Sequence, residues 1–505
     1  MPDDIRKKGR GLSENAKTAL LTVIASLLFF ALIIGVYVKA GSDAYKKHNP
    51  FDSYTLQALA WRRGETKLDK NYPHLELAII NREWLDTHDK NDYMAYRETF
   101  GDVNAPIEHV EGNEYYVSFP PVPSVPMLIM SFFTGGNTPD NLFSILYVVG
   151  SFALAILIGR RLGYGCIASL CGGILSCAAS GAFFLAANKY AGGPWFAAQT
   201  MAMLFTLAAF YSMLGKHRIG MYMAFAFLAL AVGCRPFQIV YFLLLAYAAA
   251  KKNDFKVLRT WKYYIAPAVI GGTYMWYNYI RFGSVLEFGH NYLPEFMRTP
   301  YSKFALENIA GNLKAYFSTF PWYKDGKLDF SHYGFAFYVS NVIFLLCGFA
   351  LLMGFTYLII RLVMRGKEQA GGNGVAMTIP ELDGGKRGRT KAFLMSTNIV
   401  ETVILVITSS VVLFLLLMHR TAGGWQFGMR YTVDIVPAAL LMLGYCLRPF
   451  FARKNAEGSG ESATDRPAEY GGFISGVRGA VILLTVQLII FGLWLNIYGS
   501  LIMFK

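Results

Sequence analysis

The sequence predicts an all-α protein that crosses a membrane about eleven times and carries a long polar loop after the first crossing. Of its 505 residues, 54% are hydrophobic and only 16% are charged, whereas a soluble protein of this length carries roughly a quarter charged residues. The apolar residues also come in runs near or above about 18 residues without a charge, which is the signature of transmembrane helices. Length and composition therefore predict one polytopic membrane domain over residues 1–505.

The net charge of +14 is explained by membrane topology rather than by a nucleic-acid partner, which is not expected. Lys and Arg concentrate in loops on one side of the predicted membrane, as orientation during insertion requires. The first apolar run, about 18–40, is too long for a cleaved signal peptide and is predicted to be a retained anchor. Five basic residues precede this run and predict a cytoplasmic amino terminus: Arg6, Lys7, Lys8, Arg10 and Lys17.

Apolar runs bounded by basic or polar residues give the predicted spans. The run from 221 to 250 is interrupted at Pro236, which lacks an amide donor and clashes with the preceding turn; two short helices with a break at the outer face are predicted there. The run near 125–133 is too short to cross a bilayer of about 30 Å and is predicted to be interfacial or re-entrant. The spans are 18–40, 142–158, 166–187, 195–214, two within 221–250, 264–280, 337–360, 400–418, 431–447 and 481–498.

This topology places two large polar loops outside, at 41–126 and 281–335, and two flexible loops in the cytoplasm, at 364–396 and 452–476. The first outer loop contains a juxtamembrane helix that begins after Pro50 and is suited to lying along the membrane surface. All six cysteines fall in or next to apolar runs, so neither a disulfide framework nor a metal site is indicated.

Three polar clusters lie on the predicted outer face, and each has an ordinary structural interpretation. Asp52 either caps the juxtamembrane helix or supplies a reactive carboxylate. Residues 277–284, with 287–290 behind them, either belong to a site or form an aromatic belt with an arginine at the lipid headgroups. Residues 419–431 carry Arg430, which is either a headgroup anchor or a ligand-binding cation.

Arg235 lies between two apolar halves at the proline break. A charge in such a place needs a partner or an aqueous cavity. Arginine binds phosphate oxygens in a fork, so a lipid phosphate would satisfy it. An ion pair with Asp52 or Glu76 is the structural alternative.

Five motifs in this order resemble the GT-C superfamily, the membrane glycosyltransferases that use polyprenyl-phosphate sugars and include protein O-mannosyltransferases and aminoarabinose transferases. The similarity covers most of the chain and is greatest to bacterial relatives. The motifs are Phe51-Asp52-x-Tyr54-x-x-x-Ala58-x-Ala60 followed by Gly64, Tyr116-Val117-Ser118-Phe119-Pro120-Pro121, Cys234-Arg235-Pro236, Tyr277-Asn278-x-x-Arg281-Phe282-Gly283-Ser284, and Phe427-Gly428-Met429-Arg430-Tyr431.

The resemblance implies a GT-C type fold in the bacterial inner membrane, with the active site on the outer face and Asp52 as the catalytic base. It also implies inversion at the anomeric carbon. The protein mannosyltransferases carry an Asp-Glu pair where this chain has Asp52-Ser53, which argues against a protein among the three acceptor classes considered, a glycan, a lipid and a protein. The lack of a soluble carboxyl-terminal domain argues against an oligosaccharyltransferase.

The chemistry fits one carboxylate, because a sugar phosphate is a good leaving group and needs only a base for the acceptor hydroxyl and cations for the departing phosphate. Metal dependence stays open, and a divalent metal is not excluded.

The rival interpretations are a ligase or polymerase of lipid-linked glycans and a transporter or flippase. Carboxylates at the middle of the membrane and repeated halves, which are typical of transporters, are not evident in the sequence. The expected substrate-binding residues are Arg235, Arg430, Lys189, Arg281, Asn278, His74, Glu76 and Tyr116.

Overall fold

Helices make up most of the computed structural model, which describes residues 13–40, 52–88, 109–293, 303–370, 398–452 and 471–504. The strands of the described chain form two small two-stranded sheets. The predicted all-α membrane fold is therefore confirmed, with these two hairpin-sized sheets in the two loops predicted to be outside as an addition. The basic residues before position 13, Phe51, and most of the two predicted cytoplasmic loops lie outside the described residues.

The helices are numbered here in chain order. They are α1 Glu14–Lys39, α2 Ser53–Arg62, α3 Arg82–Thr87, α4 Ser124–Thr134, α5 Asp140–Arg161, α6 Cys166–Gly173, α7 Gly181–Ala187, α8 Pro194–Met213, α9 Arg218–Val232, α10 Phe242–Lys252, α11 Ile265–Phe282, α12 Ile309–Leu313, α13 Phe337–Ser340, α14 Ile343–Ala370, α15 Ile399–Met418, α16 Val436–Phe451 and α17 Gly471–Ile502.

Among the described residues, seven helices are long and apolar enough to cross a membrane, or eight if one bent pair counts as a single span. The predicted count of about eleven is not confirmed. Helices α9, α10 and α11 are shorter or less apolar than the helices counted as membrane-crossing. The bent pair turns by 59° between Ala178 and Gly181. Ser180 caps the second half through the amide of Ala182, so the break leaves a satisfied helix start.

The predicted interruption at Pro236 is present. Helix α9 ends at Val232, a 3₁₀ turn runs over Pro236–Tyr241, and α10 begins at Phe242. Arg235 is the extended residue that joins α9 to this turn. The short run predicted to be interfacial is α4, whose Ile129, Phe132 and Phe133 side chains are exposed, as expected for a helix that contacts lipid without crossing it.

The first outer loop folds around a two-stranded sheet. Strand β1, Ala78–Asn81, pairs antiparallel with β2, Asn113–Tyr116. A second hairpin in the second outer loop pairs β3, Trp322–Lys324, with β4, Lys327–Asp329. Alternation in these strands is too short to be recognised without knowing the pairing, which explains why only helices were predicted here.

Polar contacts join the helix ends that were predicted to be cytoplasmic. Glu14, at the start of α1, forms an ion pair of 3.3 Å with Arg160 at the end of α5. Lys251, at the end of α10, forms one of 2.6 Å with Glu401 at the start of α15. Lys252 donates to the Gly215 carbonyl at 2.7 Å. These ends therefore lie on one face of the helix bundle, as alternating spans require.

A buried polar junction holds α2 against α4 and α11. The Tyr277 hydroxyl accepts hydrogen bonds from Gln57 Nε2 at 2.6 Å and from Trp61 Nε1 at 3.0 Å. Gln57 Oε1 accepts from the Ser124 hydroxyl at 2.7 Å. Helix α2 is thus fixed by residues of two other helices, α4 and α11, and Asp52 directly precedes it.

Replacing Tyr277 with phenylalanine should destabilise the protein by about 2 kcal/mol, because two buried donors lose their acceptor. The thermal midpoint of the purified protein in detergent measures this effect. Tyr279→Phe is the matched control, since the Tyr279 side chain is 59% exposed on the same helix. Equal midpoints for the two variants would contradict a structural role for the junction.

Candidate functional site

Asp52 lies at the start of α2 with 8% of its surface exposed. Its backbone carbonyl accepts from the amides of Thr55 at 2.8 Å and Leu56 at 3.1 Å. Within the described chain its side chain forms no capping hydrogen bond with the helix. The arrangement therefore lacks the contact that the capping interpretation requires, and leaves the carboxylate in a protein-enclosed place.

Arg235 is paired with Asp434 rather than with Asp52 or Glu76, the two partners that the sequence suggested. Its Nε and Nη2 atoms donate to the same Asp434 oxygen, Oδ2, at 3.1 and 2.9 Å. The guanidinium also stacks 4.6 Å from the centre of the Tyr431 ring. Asp434 belongs to the 3₁₀ turn Arg430–Ile435, so α9 and α16 are joined at this end by an ion pair.

Arg430 opens the same 3₁₀ turn and is 5% exposed. Its Nη1 donates to the Trp195 carbonyl at 2.7 Å and its Nε to the Gly423 carbonyl at 2.9 Å. Its guanidinium lies 5.2 Å from the Phe196 ring. These contacts are with carbonyls and rings, none of which carries a formal charge, so the buried guanidinium lies in a place that favours an anionic ligand.

Three basic side chains of the second outer loop and the end of α15 extend this positive region. Lys303 Nζ lies 3.0 Å from His290 Nδ1, and His419 stacks edge-on against Phe304 and Tyr431 at 5.2 and 5.7 Å. Burial lowers the pKa of His419 to about 3, and the charges of Lys303, Arg235 and Arg430 act in the same direction. The set Arg235, Arg430, Lys303, His290 and His419 is called the basic cluster below.

Burial, followed by the charges of Lys303, His419 and Arg235, likewise keeps the pKa of His290 well below its usual value. Both histidines are therefore neutral near pH 7. The positive charge of the basic cluster then comes from Arg235, Arg430 and Lys303, with Asp434 as the neutralising partner of the first.

Because His419 is neutral when folded and takes up a proton when unfolded, its contribution to stability is present above the unfolded pKa and is lost as the pH falls below about 6.5. We expect stability to decrease by about 1.4 kcal/mol per pH unit in this range from His419 alone. The thermal midpoint in detergent between pH 8 and pH 5 measures this. His419→Asn should reduce the pH dependence, and His217→Asn, on a loop at the other face, should leave it unchanged.

The Asp52 segment reaches the basic cluster through Tyr54 and Phe119. The Tyr54 and Phe119 rings lie 6.3 Å apart, and Phe119 contacts His290 edge-on at 5.6 Å. Burial raises the pKa of Tyr54 well above its usual value, and the nearby Arg235 charge opposes that rise. The helix that follows Asp52 thus contacts the same region as Arg235.

Glu76 approaches the cluster from the first outer loop. It has a left-handed backbone, with φ 52° and ψ 52°, which is uncommon for a residue with a side chain. Its Oε2 accepts from Trp195 Nε1 at 3.0 Å, and Trp195 in turn binds Arg430 through its carbonyl. His74, in the adjacent 3₁₀ turn Pro73–Leu75, is half-buried. Tyr72 lies close enough to Asp52 that the charge of Asp52 contributes, after burial, to the raised pKa of Tyr72.

Arg281, Asn278 and Tyr116 form a separate group beside the β1–β2 sheet. Arg281 is fully buried and donates to the Val117 carbonyl at 3.0 Å and to Asn278 Oδ1 at 3.2 Å. The Tyr116 hydroxyl donates to Glu114 Oε2 at 3.0 Å, and burial raises the Tyr116 pKa to about 12. These contacts tie α11 to strand β2 and account for the donors of Arg281 within the structure.

Lys189 follows α7 and is half-buried. Its ammonium lies 5.0 Å from the Tyr190 ring. The structure therefore places Lys189 at the same end of the bundle as Trp195, against Tyr190 rather than against the basic cluster.

Sequence reasoning missed several members of the site. Asp434 follows the motif that ends at Tyr431 and was not predicted to be the partner of Arg235, and Lys303 and Trp195 were not predicted to belong to the site. Asp140, at the start of α5, is another buried carboxylate, 6% exposed, and the neighbouring Thr138 hydroxyl bonds to Thr55 of α2. A useful signal would have been polar residues next to the outer ends of spans, since such positions can line a site.

No group of three or more His, Cys, Asp or Glu side chains able to hold a metal ion occurs in the described ranges. Acidic residues of the site are distributed among Asp52, Glu76, Asp434 and Asp140. The arrangement places the enclosed Asp52 carboxylate, at the start of α2, in the region of a set of cations from distant segments.

The fold and site define a multi-pass membrane protein with a basic cluster where its first long polar loop meets the helix ends. The chain matches no protein-family model and no curated protein. It is similar to the crystal structure of ArnT from Cupriavidus metallidurans bound to undecaprenyl phosphate, with 13% identity, a TM-score of 0.42, and coverage of 94% of this chain and 76% of that one. This similarity is too low to transfer residue roles, which rest on the contacts described above.

Proposed function

We propose that the protein transfers a sugar from a polyprenyl-phosphate donor to an acceptor hydroxyl at the outer face of the membrane. The observation that carries this proposal is the convergence of Arg235, Arg430 and Lys303 on the region contacted by the helix that Asp52 precedes. Three cations from segments far apart in the chain are suited to a phosphate, and an adjacent carboxylate is suited to a hydroxyl proton.

Arg235 and Arg430 are the proposed phosphate partners. Both are fixed in orientation, Arg235 by Asp434 and Arg430 by two carbonyls. Fixed donors stabilise charge that develops on a leaving group without having to reorganise during the reaction. Lys303 adds a charge to the same region and is a further proposed contact.

Asp52 is the proposed general base. Its enclosure and the lack of a capping contact support a role other than helix initiation. The acceptor oxygen would form its bond to the anomeric carbon while its proton passes to the Asp52 carboxylate. The bond between the anomeric carbon and the phosphate oxygen breaks, and its electron pair remains on the phosphate.

Glu76 and His74 are proposed to shape the acceptor side, since both follow Tyr72 on the loop close to Asp52. Arg281, Asn278 and Tyr116 are proposed to act indirectly, because their contacts hold α11 and the sheet together. Lys189 is proposed as a peripheral contact to the lipid phosphate. The outer-face location and the inner bacterial membrane are part of the same proposal.

An assay with purified protein tests the function. A monosaccharide on polyprenyl phosphate should be consumed, with polyprenyl phosphate released, when a membrane extract supplies the acceptor. Consumption of only a diphosphate-linked glycan would instead indicate a ligase or polymerase. Movement of the lipid across a vesicle membrane without any change in its sugar would indicate a flippase, and either result would overturn the proposal.

A further inference from the structure

The two edges of the Arg235 guanidinium have different surroundings. One edge, Nε and Nη2, is held by Asp434 Oδ2, and one face lies on the Tyr431 ring. Nη1 makes no hydrogen bond to any residue in the described part of the chain. The Arg235 side chain keeps 18% of its surface exposed, against 1% for Asp434. The Nε–Nη2 edge is thus held by a buried carboxylate, while Nη1 belongs to a side chain that keeps part of its surface exposed.

We infer that Asp434 is a positioning residue that directs the Nη1 edge of Arg235 towards a lipid phosphate and weakens the binding of a doubly charged phosphate relative to a singly charged phosphodiester. This inference rests on the proposed function and extends it to the discrimination between donor and product. Asp434 acts through Arg235 and is not proposed to touch the substrate.

The charges explain the preference. The donor phosphodiester carries one negative charge, whereas the phosphate left after transfer has a second ionisation with a pKa of about 6 and carries nearly two at pH 8. Asp434 lies directly behind Arg235 and repels the additional charge. Unit charges a few ångströms apart near a protein surface interact strongly enough to change an affinity by about tenfold or more. The product would therefore leave more readily than it would from a site without the Asp434 charge.

A purely structural role makes a different prediction. If Asp434 only neutralises Arg235 for folding, its replacement lowers stability but affects both phosphate ligands alike. If Asp434 sets the charge preference, the ratio of the two affinities changes. The ratio of the two affinities separates the structural role from the charge-setting role, because a loss of folded protein lowers both affinities by the same factor.

The test measures binding of farnesyl phosphate and methyl farnesyl phosphate to the purified full-length protein in detergent at pH 8. Asp434→Asn keeps an oxygen for Arg235 but removes the charge, and should shift the affinity ratio about tenfold towards the doubly charged farnesyl phosphate. Asp434→Glu keeps the charge and should keep the wild-type ratio. An unchanged ratio in Asp434→Asn would overturn the inference.

Glu401→Gln is the matched control, since Glu401 is also a buried carboxylate in an ion pair but lies at the opposite helix ends. The ratio of the two phosphate affinities in Glu401→Gln should equal that of the wild type. A change in this ratio as large as the change in Asp434→Asn would also overturn the inference. If Asp434→Asn does not fold, Arg235→Lys serves instead. The lysine ammonium is a point charge and cannot both hold Asp434 and offer a second edge to a phosphate. The affinities for farnesyl phosphate and methyl farnesyl phosphate should therefore both fall about tenfold. Unchanged affinities would contradict the inference.

The same binding data distinguish this inference from the proposed function, because they do not depend on transfer. Failure of both probes to bind the wild type would remove the phosphate site and the proposed function together. Binding of both with no change of ratio in Asp434→Asn would remove only the inference about Asp434.

Discussion

Replacement of Asp52 by asparagine is expected to lower sugar transfer by about 10²- to 10⁴-fold, the usual contribution of a general base. Asparagine has nearly the same size and cannot accept the proton from the acceptor hydroxyl. Because the Asp52 side chain makes no capping contact with α2 in the described chain, the thermal midpoint should change little. Transfer is measured as release of polyprenyl phosphate by the purified variant.

The matched control is Asp86→Asn, which removes an exposed carboxylate from α3 in the same outer loop. Its transfer rate should equal that of the wild type. A wild-type rate in Asp52→Asn would refute the base assignment. A large loss of stability in that variant would instead restore the interpretation of Asp52 as a structural helix-start residue.

Replacement of Arg235 by glutamine is expected to destabilise the protein by about 3–5 kcal/mol, because it leaves the Asp434 carboxylate buried without its cation. Transfer should also be lost, since a proposed phosphate partner is gone. The double variant Arg235→Gln, Asp434→Asn removes both charges and should recover most of the stability but none of the transfer. Thermal midpoints and transfer rates of the three proteins measure this.

The same set of single and double replacements at the Lys251–Glu401 pair is the control. That pair is also an ion pair with a buried carboxylate, but it lies at the opposite helix ends. Each single replacement should lower stability, and the double replacement should recover part of the loss. Transfer should be retained in all of these variants that fold. Equal stability of Arg235→Gln and its double variant would show that the Arg235–Asp434 pair is not coupled, contrary to the geometry.

Local signals explain what was predictable in the fold. Long apolar runs predicted the crossing helices, and Pro236 predicted the interruption that the structure has between Val232 and Phe242. Ile129, Phe132 and Phe133 belong to the run that was recognised as too short to cross. These features depend on residues within one or two helical turns of each other, and such information is present in a single sequence.

The composition of the site was only partly predictable, because it depends on contacts between distant segments. Arg235 was recognised as a charge that needed a partner, yet Asp434 lies 199 positions away, and two other acidic residues were equally plausible from spacing. Lys303 gave no local signal, since a lysine in an outer loop is usually a solvated charge. Its relation to His290 appears only when the second outer loop packs on the helix ends.

Contacts between early and late segments also have a consequence for biosynthesis. Gln57 bonds to Tyr277, which is 220 residues later, and the Val117 carbonyl bonds to Arg281, which is 164 residues later. At a synthesis rate of about 5–20 residues per second, Gln57 waits roughly 10–40 s before its acceptor leaves the ribosome. The first long loop therefore spends this interval without these two final contacts.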